Sequence, residues 1–207
     1  MKRLAIVGAS GHGKVVAETA ELCGWQDIVF YDDSWPRKQE NSVWKIAGDF
    51  SMLLECLSSF DGVIVAIGHN ATRFSMLEQL SKAGVHLPMI IHPTAVVSRS
   101  ATLSDGLVIF ANVVINANAS IGAGVILNTA CTIDHDCVIG SSVHISPGAH
   151  LAGSVQVGDC SWVGIGAIVK QGMIIGTQSV VGAGAVVVSD VPSNVTVVGV
   201  PARALIK

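Results

Sequence analysis

Two different hydrophobic patterns divide the chain near residue 90. Before this point, short apolar runs alternate with stretches whose apolar residues recur at helical spacing. Alternation of strands and helices is typical of a parallel sheet with right-handed crossovers. We therefore expect a small Rossmann-like domain over residues 1–88. Its predicted strands lie at residues 4–7, 28–31 and 63–67, and its predicted helices at residues 14–23, 50–57 and 71–82.

After residue 90, an aliphatic residue recurs at every sixth position without interruption. A six-residue repeat is typical of a parallel β-helix, in which each repeat forms a short strand and a corner. Three repeats close one triangular turn, so residues 18 apart stack at the strand spacing of about 4.8 Å. Residues 89–207 are therefore expected to form an all-β coil with a C-terminal tail. The repeated positions are Ile91, Val97, Leu103, Ile109, Ile115, Ile121, Leu127, Ile133, Ile139, Ile145, Leu151, Val157, Val163, Val169, Ile175, Val181 and Val187.

Composition excludes several classes of protein. The net charge of -3 and the pI of about 6.1 leave no basic face to neutralise a nucleic-acid backbone. Mean hydropathy is high at +0.59, but the longest uncharged stretch, residues 106–133, contains four asparagines and is not a membrane span. The glycine-rich start does not resemble a signal peptide, and the five cysteines form no CxxC pair. We expect reduced thiols in a cytoplasmic protein.

One histidine in the coil is a candidate general base. His135 has an acid on each side, and a carboxylate can fix the imidazole tautomer and stabilise the imidazolium. Gly153 lies 18 residues further on, so its unhindered N–H should stack on His135, where it could donate to a developing oxyanion. The alternative is a solvated corner histidine between two surface acids.

A metal site is the competing interpretation of the acids and histidines in this region. Adjacent side chains on a strand point to opposite faces, so Asp134, His135 and Asp136 should not converge. His144 and His150 are six residues apart and should lie on different faces of the coil. We therefore expect no metal.

The glycine-rich residues 8–13 follow the first predicted strand and open the first helix. Their amides could receive a diphosphate at the helix N-terminus. The segment nearly matches a P-loop, but Val15 stands where a magnesium-binding hydroxyl is required, which argues against ATP hydrolysis. Asp32 lies where a ribose-binding acid is expected, although the glycine spacing is not that of a dinucleotide site. A purely structural turn is the alternative.

Several motifs together resemble one known family. The repeats IGAGVI, IGSSVH, VGDCSW, IGTQSV and VGAGAV are similar to those of the hexapeptide, left-handed β-helix acyltransferases. GASGHGKVVAE, then YDD, then AIGHN, and above all NTACTIDHDCVIGSSVHISPGAHLAG at residues 128–153, resemble one subgroup. That subgroup is the bacterial sugar acyltransferases that modify amino-sugar nucleotides, including bacillosamine-pathway N-acetyltransferases and sialic-acid O-acetyltransferase relatives. The resemblance covers essentially the whole chain.

This resemblance implies a homotrimer that binds acetyl-CoA between neighbouring left-handed coils and the nucleotide-sugar in the N-terminal domain. It places the catalytic base at His135 and the carboxylate partner at Asp136, where bacillosamine enzymes usually have Glu. The implied CoA contacts are His144, Ile165 and Ala183. The implied nucleotide-sugar contacts are Ser10, Gly11, His12, Gly13, Asp32, Asp33 and Gly68.

Four further residues have less specific interpretations. Asn128 orients the acceptor or CoA, or belongs to a corner asparagine ladder. Arg203 contacts a CoA phosphate, or caps the C-terminus in solvent. His150 is a surface histidine or a subunit contact, and Trp162 is expected at a subunit contact.

The resemblance predicts acetyl-CoA-dependent N-acetylation of a nucleotide-linked 4-amino-4,6-dideoxy sugar, with UDP favoured. Transfer would be direct, with His135 as base and no acyl-enzyme. The alternatives are O-acetylation of a sugar hydroxyl as in sialic acid, a dTDP-linked amino-sugar, a non-catalytic β-helix scaffold, and NAD(P)-dependent chemistry in the N-terminal domain.

Overall fold

The computed structural model describes residues 2–205, and the N-terminal part is a five-stranded sheet with helices on both sides. The strand order is β3-β4-β2-β1-β5, with β3 antiparallel to β4 and the other pairs parallel. The elements are β1 (Arg3–Val7), α1 (Gly11–Leu22), β2 (Asp27–Tyr31), β3 (Glu40–Asn41), β4 (Trp44–Gly48), α2 (Phe50–Glu55), a 3₁₀ turn (Leu57–Ser59), β5 (Gly62–Val65) and α3 (Asn70–Lys82).

The predicted strands and helices of this part form, with one addition. Strand β4 was not predicted from the sequence, and β3 lies inside the predicted loop at residues 34–42. In β4 only alternate residues are buried, Trp44, Ile46 and Gly48, so the segment has no continuous apolar run. A strand this short with a polar face gives a weak periodic signal.

The rest of the chain is a parallel β-helix with three faces, which we number in chain order. Strands of one face are 18 residues apart and pair in register, for example Ile126 with His144. Face 1 contains Ile90–Ile91, Val108–Ile109, Ile126–Leu127, His144–Ile145, Trp162–Val163, Val180–Val181, Thr196–Val198 and Arg203–Ala204. Face 2 contains Val96–Val97, Val114–Ile115, Thr132–Ile133, His150–Leu151, Ile168–Val169 and Val186–Val187. Face 3 contains Thr102–Leu103, Ser120–Ile121, Val138–Ile139, Gln156–Val157 and Ile174–Ile175.

The corners of the coil repeat one backbone conformation. From Gly106 to Gly184 every sixth residue has a positive φ, and the residue is often not glycine. Asn112, Ala130 and Asp136 adopt it with φ values of 60°, 58° and 59°. This left-handed residue reverses the direction of the chain between two-residue strands, and it also sets where a corner side chain points.

Helix α1 is packed between the N-terminal sheet and face 1 of the coil. One apolar cluster joins Ile6 of β1 and Val16 of α1 to Val108 and Phe110 of the coil. Helices α2 and α3 cover the other side of the sheet. The coil has its own core of stacked aliphatic residues, in which Cys131 and Cys137 are buried.

Among residues 2–205, none of the helices has the length and apolar character needed to cross a bilayer.

Candidate active site

His135 lies at the corner between faces 2 and 3 and is held by the two acids beside it. Its Nδ1 is 2.8 Å from Oδ2 of Asp136, and its backbone N–H donates to Oδ1 of Asp134 over 2.8 Å. The prediction that these three residues cannot converge was wrong for His135 and Asp136. They lie in a turn rather than a strand, and the positive φ of Asp136 brings its carboxylate back to the ring.

The two carboxylates make this imidazole more basic than a free histidine. The hydrogen bond with Asp136, and then the negative charge of Asp134, raise the pKa of His135. The same hydrogen bond, with a second from Asn118, lowers the pKa of Asp136. Because the carboxylate cannot donate, Nδ1 carries the proton and Nε2 is the free basic nitrogen.

Gly153 lies directly over the His135 ring, as predicted from the 18-residue period. A Cβ at this position would be 2.5 Å from Cε1 and 2.6 Å from Nε2 of His135. Within residues 2–205, no acceptor takes the amide N–H of Gly153. The base therefore lies beside a peptide N–H that is free to donate to a ligand.

In the part of the chain that the structure describes, no three acidic, histidine or cysteine side chains are grouped as metal ligands. His144 and His150 lie on faces 1 and 2, as their spacing predicted. His150 is exposed on face 2, with Nδ1 2.9 Å from Oγ1 of Thr132.

The glycine loop between β1 and α1 is a tight turn that leaves its helix N-terminus open. Gly8 has a φ of 106°, and a Cβ on Gly13 would collide with the carbonyl oxygen of Gly8. The cap residue Ser10 makes no side-chain hydrogen bond to the helix. The first-turn amides of Gly11, His12 and Gly13 therefore remain available to an anion.

Asp32 organises this loop through both carboxylate oxygens. Oδ2 accepts the N–H of Ala9 over 2.7 Å, and Oδ1 accepts the N–H of Ser34 over 2.9 Å. Lys38 closes the loop from the other side by donating to the Ala9 carbonyl over 2.5 Å. Asp33 beside it is exposed and free to contact a ligand.

A second cleft lies between the start of α1 and face 1. The His12 ring packs edge-on against Phe110, and its centroid is 6.5 Å from that of His144. His144 stacks on Trp162 at 5.4 Å, and its Nε2 is 3.3 Å from Nδ2 of Asn128. Trp162, expected at a subunit contact, thus packs against a histidine of its own chain.

Both rings in this cleft are held uncharged. Burial, and then the nearby charge of Arg73, lower the pKa of His12 to about 4. The same two causes, with a smaller contribution from His12, lower the pKa of His144 to about 3. Gly68 faces open space nearby, and its carbonyl accepts from Arg73.

Arg73 was missed by the sequence analysis. It occupies a core-facing position of α3 in the series Asn70, Arg73, Leu77 and Leu80. A charged residue in the apolar stripe of an amphipathic helix was the available signal.

The remaining predicted CoA contacts lie at another corner of the coil. Ile165 and Ala183 are 18 residues apart at the corner between faces 1 and 2, where Asn128 also lies. Arg203 is exposed, and its guanidinium donates to the carbonyl of Ala202 over 2.8 Å. His135, at the corner between faces 2 and 3, is on the opposite side of the triangle from face 1.

Comparison with known proteins agrees with this architecture. Residues 3–80 match the family model described as the PglD N-terminal domain. The UDP-N-acetylbacillosamine N-acetyltransferase of Bacillus subtilis (strain 168) is 38% identical over 112 residues, which are 53% of this chain and 51% of that enzyme. The match thus spans about half the length of this curated relative.

Two solved structures match over nearly their whole length. A histidine-to-asparagine mutant of perosamine N-acetyltransferase from Caulobacter crescentus, in complex with CoA and GDP-perosamine, is 36% identical with a TM-score of 0.95 and covers 100% of this chain and 98% of its own. The acetyltransferase domain of PglB from Neisseria gonorrhoeae FA1090, in complex with acetyl coenzyme A, is 43% identical with a TM-score of 0.93 and covers 99% of each chain. The chain therefore belongs to the left-handed β-helix family of hexapeptide-repeat sugar acyltransferases.

Proposed function

We propose that this protein transfers the acetyl group of acetyl-CoA to the amine of a nucleotide-linked 4-amino-4,6-dideoxy sugar, with UDP as the favoured nucleotide. The observation that carries the proposal is the basic Nε2 of His135 beside the free N–H of Gly153. The relatives support the choice of substrates, since the solved perosamine enzyme contains CoA and a GDP-linked sugar and the curated relative is named for a UDP-linked one.

His135 is the general base of the proposed reaction. As the sugar nitrogen attacks the thioester carbonyl, Nε2 of His135 takes a proton from that nitrogen. The carbon–sulfur bond then breaks, and the CoA thiolate leaves and takes up the proton from the imidazolium. The products are an amide and free CoA, with no covalent bond to the enzyme.

Two neighbours of His135 stabilise the charges that develop. Asp136 accepts the Nδ1 proton, so its negative charge faces the imidazolium formed during transfer. The N–H of Gly153 is a donor for the oxygen of the tetrahedral intermediate, where the negative charge develops.

The proposed site needs more than one copy of the chain. The nucleotide cleft lies on face 1 and the predicted CoA contacts at the corner between faces 1 and 2, whereas His135 lies at the opposite corner. Bringing these groups to one substrate requires a second copy that places its His135 corner against the first. A closed homotrimer satisfies every such contact in the same way.

The two outward faces of the coil have the apolar residues that such packing needs. Ile168 on face 2 is 48% exposed, and Val138 and Ile174 on face 3 are 49% and 47% exposed. Asn116, Asp134 and His150 line a groove of about 370 Å³ on face 2. We place CoA between neighbouring coils, with Ile165, Ala183, His144 and Arg203 as its contacts.

The nucleotide-sugar is bound by residues 1–88 in this proposal. The open amides at residues 10–13 receive the diphosphate, Asp32 and Asp33 lie beside the ribose or base, and Gly68 lines the cleft. Asn128 orients the acceptor from the coil. Because acetyl-CoA and nucleotide-sugars are cytoplasmic metabolites, the enzyme is cytoplasmic in this proposal.

The test is release of the CoA thiol from acetyl-CoA with UDP-, GDP- and dTDP-linked 4-amino sugars. We expect thiol release in step with an alkali-stable amide product, fastest with a UDP-linked sugar. The matched control is the same nucleotide-sugar with a hydroxyl in place of the amine, which should give no release. An alkali-labile ester, or no turnover with any amino-sugar, would contradict the proposal.

A further inference from the structure

Arg73 is a buried cation without a buried anion beside it. Its side chain is 1% exposed, and its hydrogen bonds go to backbone carbonyls and one amide rather than to a carboxylate. Nε donates to Gly124 over 2.8 Å, Nη1 to Ile67 over 2.8 Å, and Nη2 to Ser142 over 2.7 Å. A buried charge is costly unless its hydrogen bonds are satisfied, so this arrangement is specific to arginine.

The carbonyls that Arg73 contacts belong to one corner of the coil. Gly124 and Ser142 are positive-φ residues on successive turns, at the corner between faces 3 and 1. Asn70, one turn earlier in α3, accepts from Arg73 over 2.8 Å and donates to Cys160 and Ser161 over 3.0 Å each. The start of α3 is thus fixed to three consecutive turns of the coil.

The same guanidinium acts on the two histidines of the cleft on face 1. Nε2 of His12 and Nδ1 of His144 are both buried without a hydrogen-bond partner among residues 2–205. The groups that face them are Phe110, Asn128, Trp162, Arg73 and each other. The remaining titratable neighbour is Cys160, whose thiol lies near Arg73.

Asn128 determines which nitrogen of His144 carries the proton. Oδ1 of Asn128 accepts the N–H of Thr129 over 2.8 Å, so its Nδ2 is the group that faces the ring. Because Nδ2 donates to Nε2 of His144, the proton of the neutral ring is on Nδ1. A protonated ring would place an N–H against the amide donor. The unpartnered Nδ1–H is therefore a donor reserved for a ligand.

We propose that Arg73 is a positioning residue for the sugar cleft: it fixes α3 to the coil and keeps His12 and His144 neutral, so that His144 offers Nδ1–H to the bound sugar nucleotide. This inference rests on the proposed function for the identity of the ligand, but the state of the histidines does not depend on turnover. Lowered pKa values of both rings agree with the geometry.

Trp162 supplies a readout that needs no substrate. A protonated imidazole stacked on an indole quenches its fluorescence, so emission from Trp162 reports the charge of His144. The signal is the difference between the wild-type protein and Trp162→Phe during a pH titration. We expect no Trp162-dependent quenching between about pH 8 and about pH 5 in the wild-type protein. Quenching with a midpoint near the ordinary histidine value would overturn the inference.

Three substitutions separate charge from hydrogen bonding. Arg73→Gln removes the charge and should raise the quenching midpoint by at least about one pH unit. Asn70→Asp keeps Arg73 but places a carboxylate against it, and should raise the midpoint in the same direction. Arg73→Lys keeps the charge but not the planar fork, so the midpoint should stay low while KM for the nucleotide-sugar rises about tenfold and KM for acetyl-CoA does not.

The outcomes distinguish this inference from the proposed function. An unmoved midpoint in both Arg73→Gln and Asn70→Asp, with active enzyme, removes the role of Arg73 and leaves the transferase. A moved midpoint in a protein that acetylates no amino-sugar supports the effect of Arg73 on the histidines and removes the transferase. A purely structural role predicts equal losses of Tm in Arg73→Gln and Arg73→Lys, with no difference in midpoint. If the Arg73 variants do not fold, the wild-type and Asn70→Asp titrations decide.

Discussion

The His135 side chain is 59% exposed, yet its chemistry is set by the turn in which it lies. Asp134 holds the backbone N–H, and Asp136 folds back to Nδ1 because of its positive φ. The opposite charges favour the protonated ring, so the pKa of His135 is raised and not lowered. His144, buried beside Arg73, has the opposite shift.

The first prediction concerns the base itself. His135→Asn keeps the approximate size of the side chain but cannot accept a proton, so kcat should fall by about 10² to 10⁴. KM for acetyl-CoA and for the sugar should change little. His86→Asn, at an exposed histidine of the N-terminal part, is the matched control and should behave as wild type. Full turnover by the His135 variant would remove the mechanism.

The second prediction is a pH dependence with a defined sign. The base acts only when deprotonated, so activity should fall as pH decreases through the raised pKa of His135. Asp136→Asn removes the main cause of that shift, so the acidic limb of the kcat profile should move to lower pH. The plateau should fall about tenfold, since the imidazolium loses its partner. A limb that stays in place in kcat against pH would contradict this assignment.

At the residue scale, the sequence predicted more of the catalytic corner than of the cleft. The 18-residue period alone placed Gly153 over His135. The contact of His135 with Asp136 was implied by the family resemblance, while reasoning from strand alternation denied it, because a period-two rule does not hold where φ is positive. Arg73 could not be found from spacing, since its partners are backbone carbonyls that no side-chain pattern encodes.

At the element scale, the coil works as a ladder whose corners hold side chains in stacked columns. In the column of His135, Ala117 lies one turn before it and Gly153 one turn after it. The N–H of Asp136 donates to Ala117 over 3.0 Å, and that of Ser154 to His135 over 2.8 Å. The backbone on both sides is thus fixed, which leaves space for the ring only where the residue above has no side chain.

Gly153→Ala is the direct test of that packing. The added Cβ would be 2.5 Å from Cε1 of His135, so the ring must rotate away from its position. We expect kcat to fall at least about tenfold while the fold is kept, since Gly153 has no positive φ. Gly148→Ala is the control, because its Cβ meets nothing within 4 Å and the equivalent Ala130 shows that the coil accepts alanine there. Equal activity of the two variants would contradict the packing.

The elements themselves were predictable to different degrees. The unbroken six-residue period predicted the strands of the coil and their stacking, since one aliphatic residue per repeat must face the core. Strand β4 was missed because its register with β2 shifts between Phe30 and Tyr31 and only alternate residues are buried. Packing of α1 against face 1 depends on Phe110 and Val108, which the inward-facing period does not include.

At the scale of the whole molecule, no single chain brings the proposed groups together. The cleft with His12 and His144 is on face 1, and His135 is at the corner that faces away from it. Faces 2 and 3 expose aliphatic residues that a monomer would leave in water. Assembly is therefore part of the proposed site.

Ile168→Glu should break this assembly. A charge in an apolar contact between copies costs more than it gains, so the trimer should dissociate and activity should be lost with it. Light scattering should give a mass about three times 21.4 kDa for the wild-type protein and one subunit mass for the variant. Val43→Glu, at an 83% exposed apolar residue far from the coil, is the control. A monomeric wild-type protein with full activity would contradict the shared site.

Complementation between two inactive variants tests the shared site most directly. His135→Asn removes the base, and Gly11→Trp fills the open space at the start of α1 with a side chain that meets nothing of its own chain. Each variant alone should be inactive. When equal amounts are unfolded and refolded together, an intact His135 meets an intact cleft at about one quarter of the interfaces, and thiol release should return to that fraction of wild type. No recovery in mixed trimers would mean that each chain contains its own complete site, which contradicts a site shared between copies.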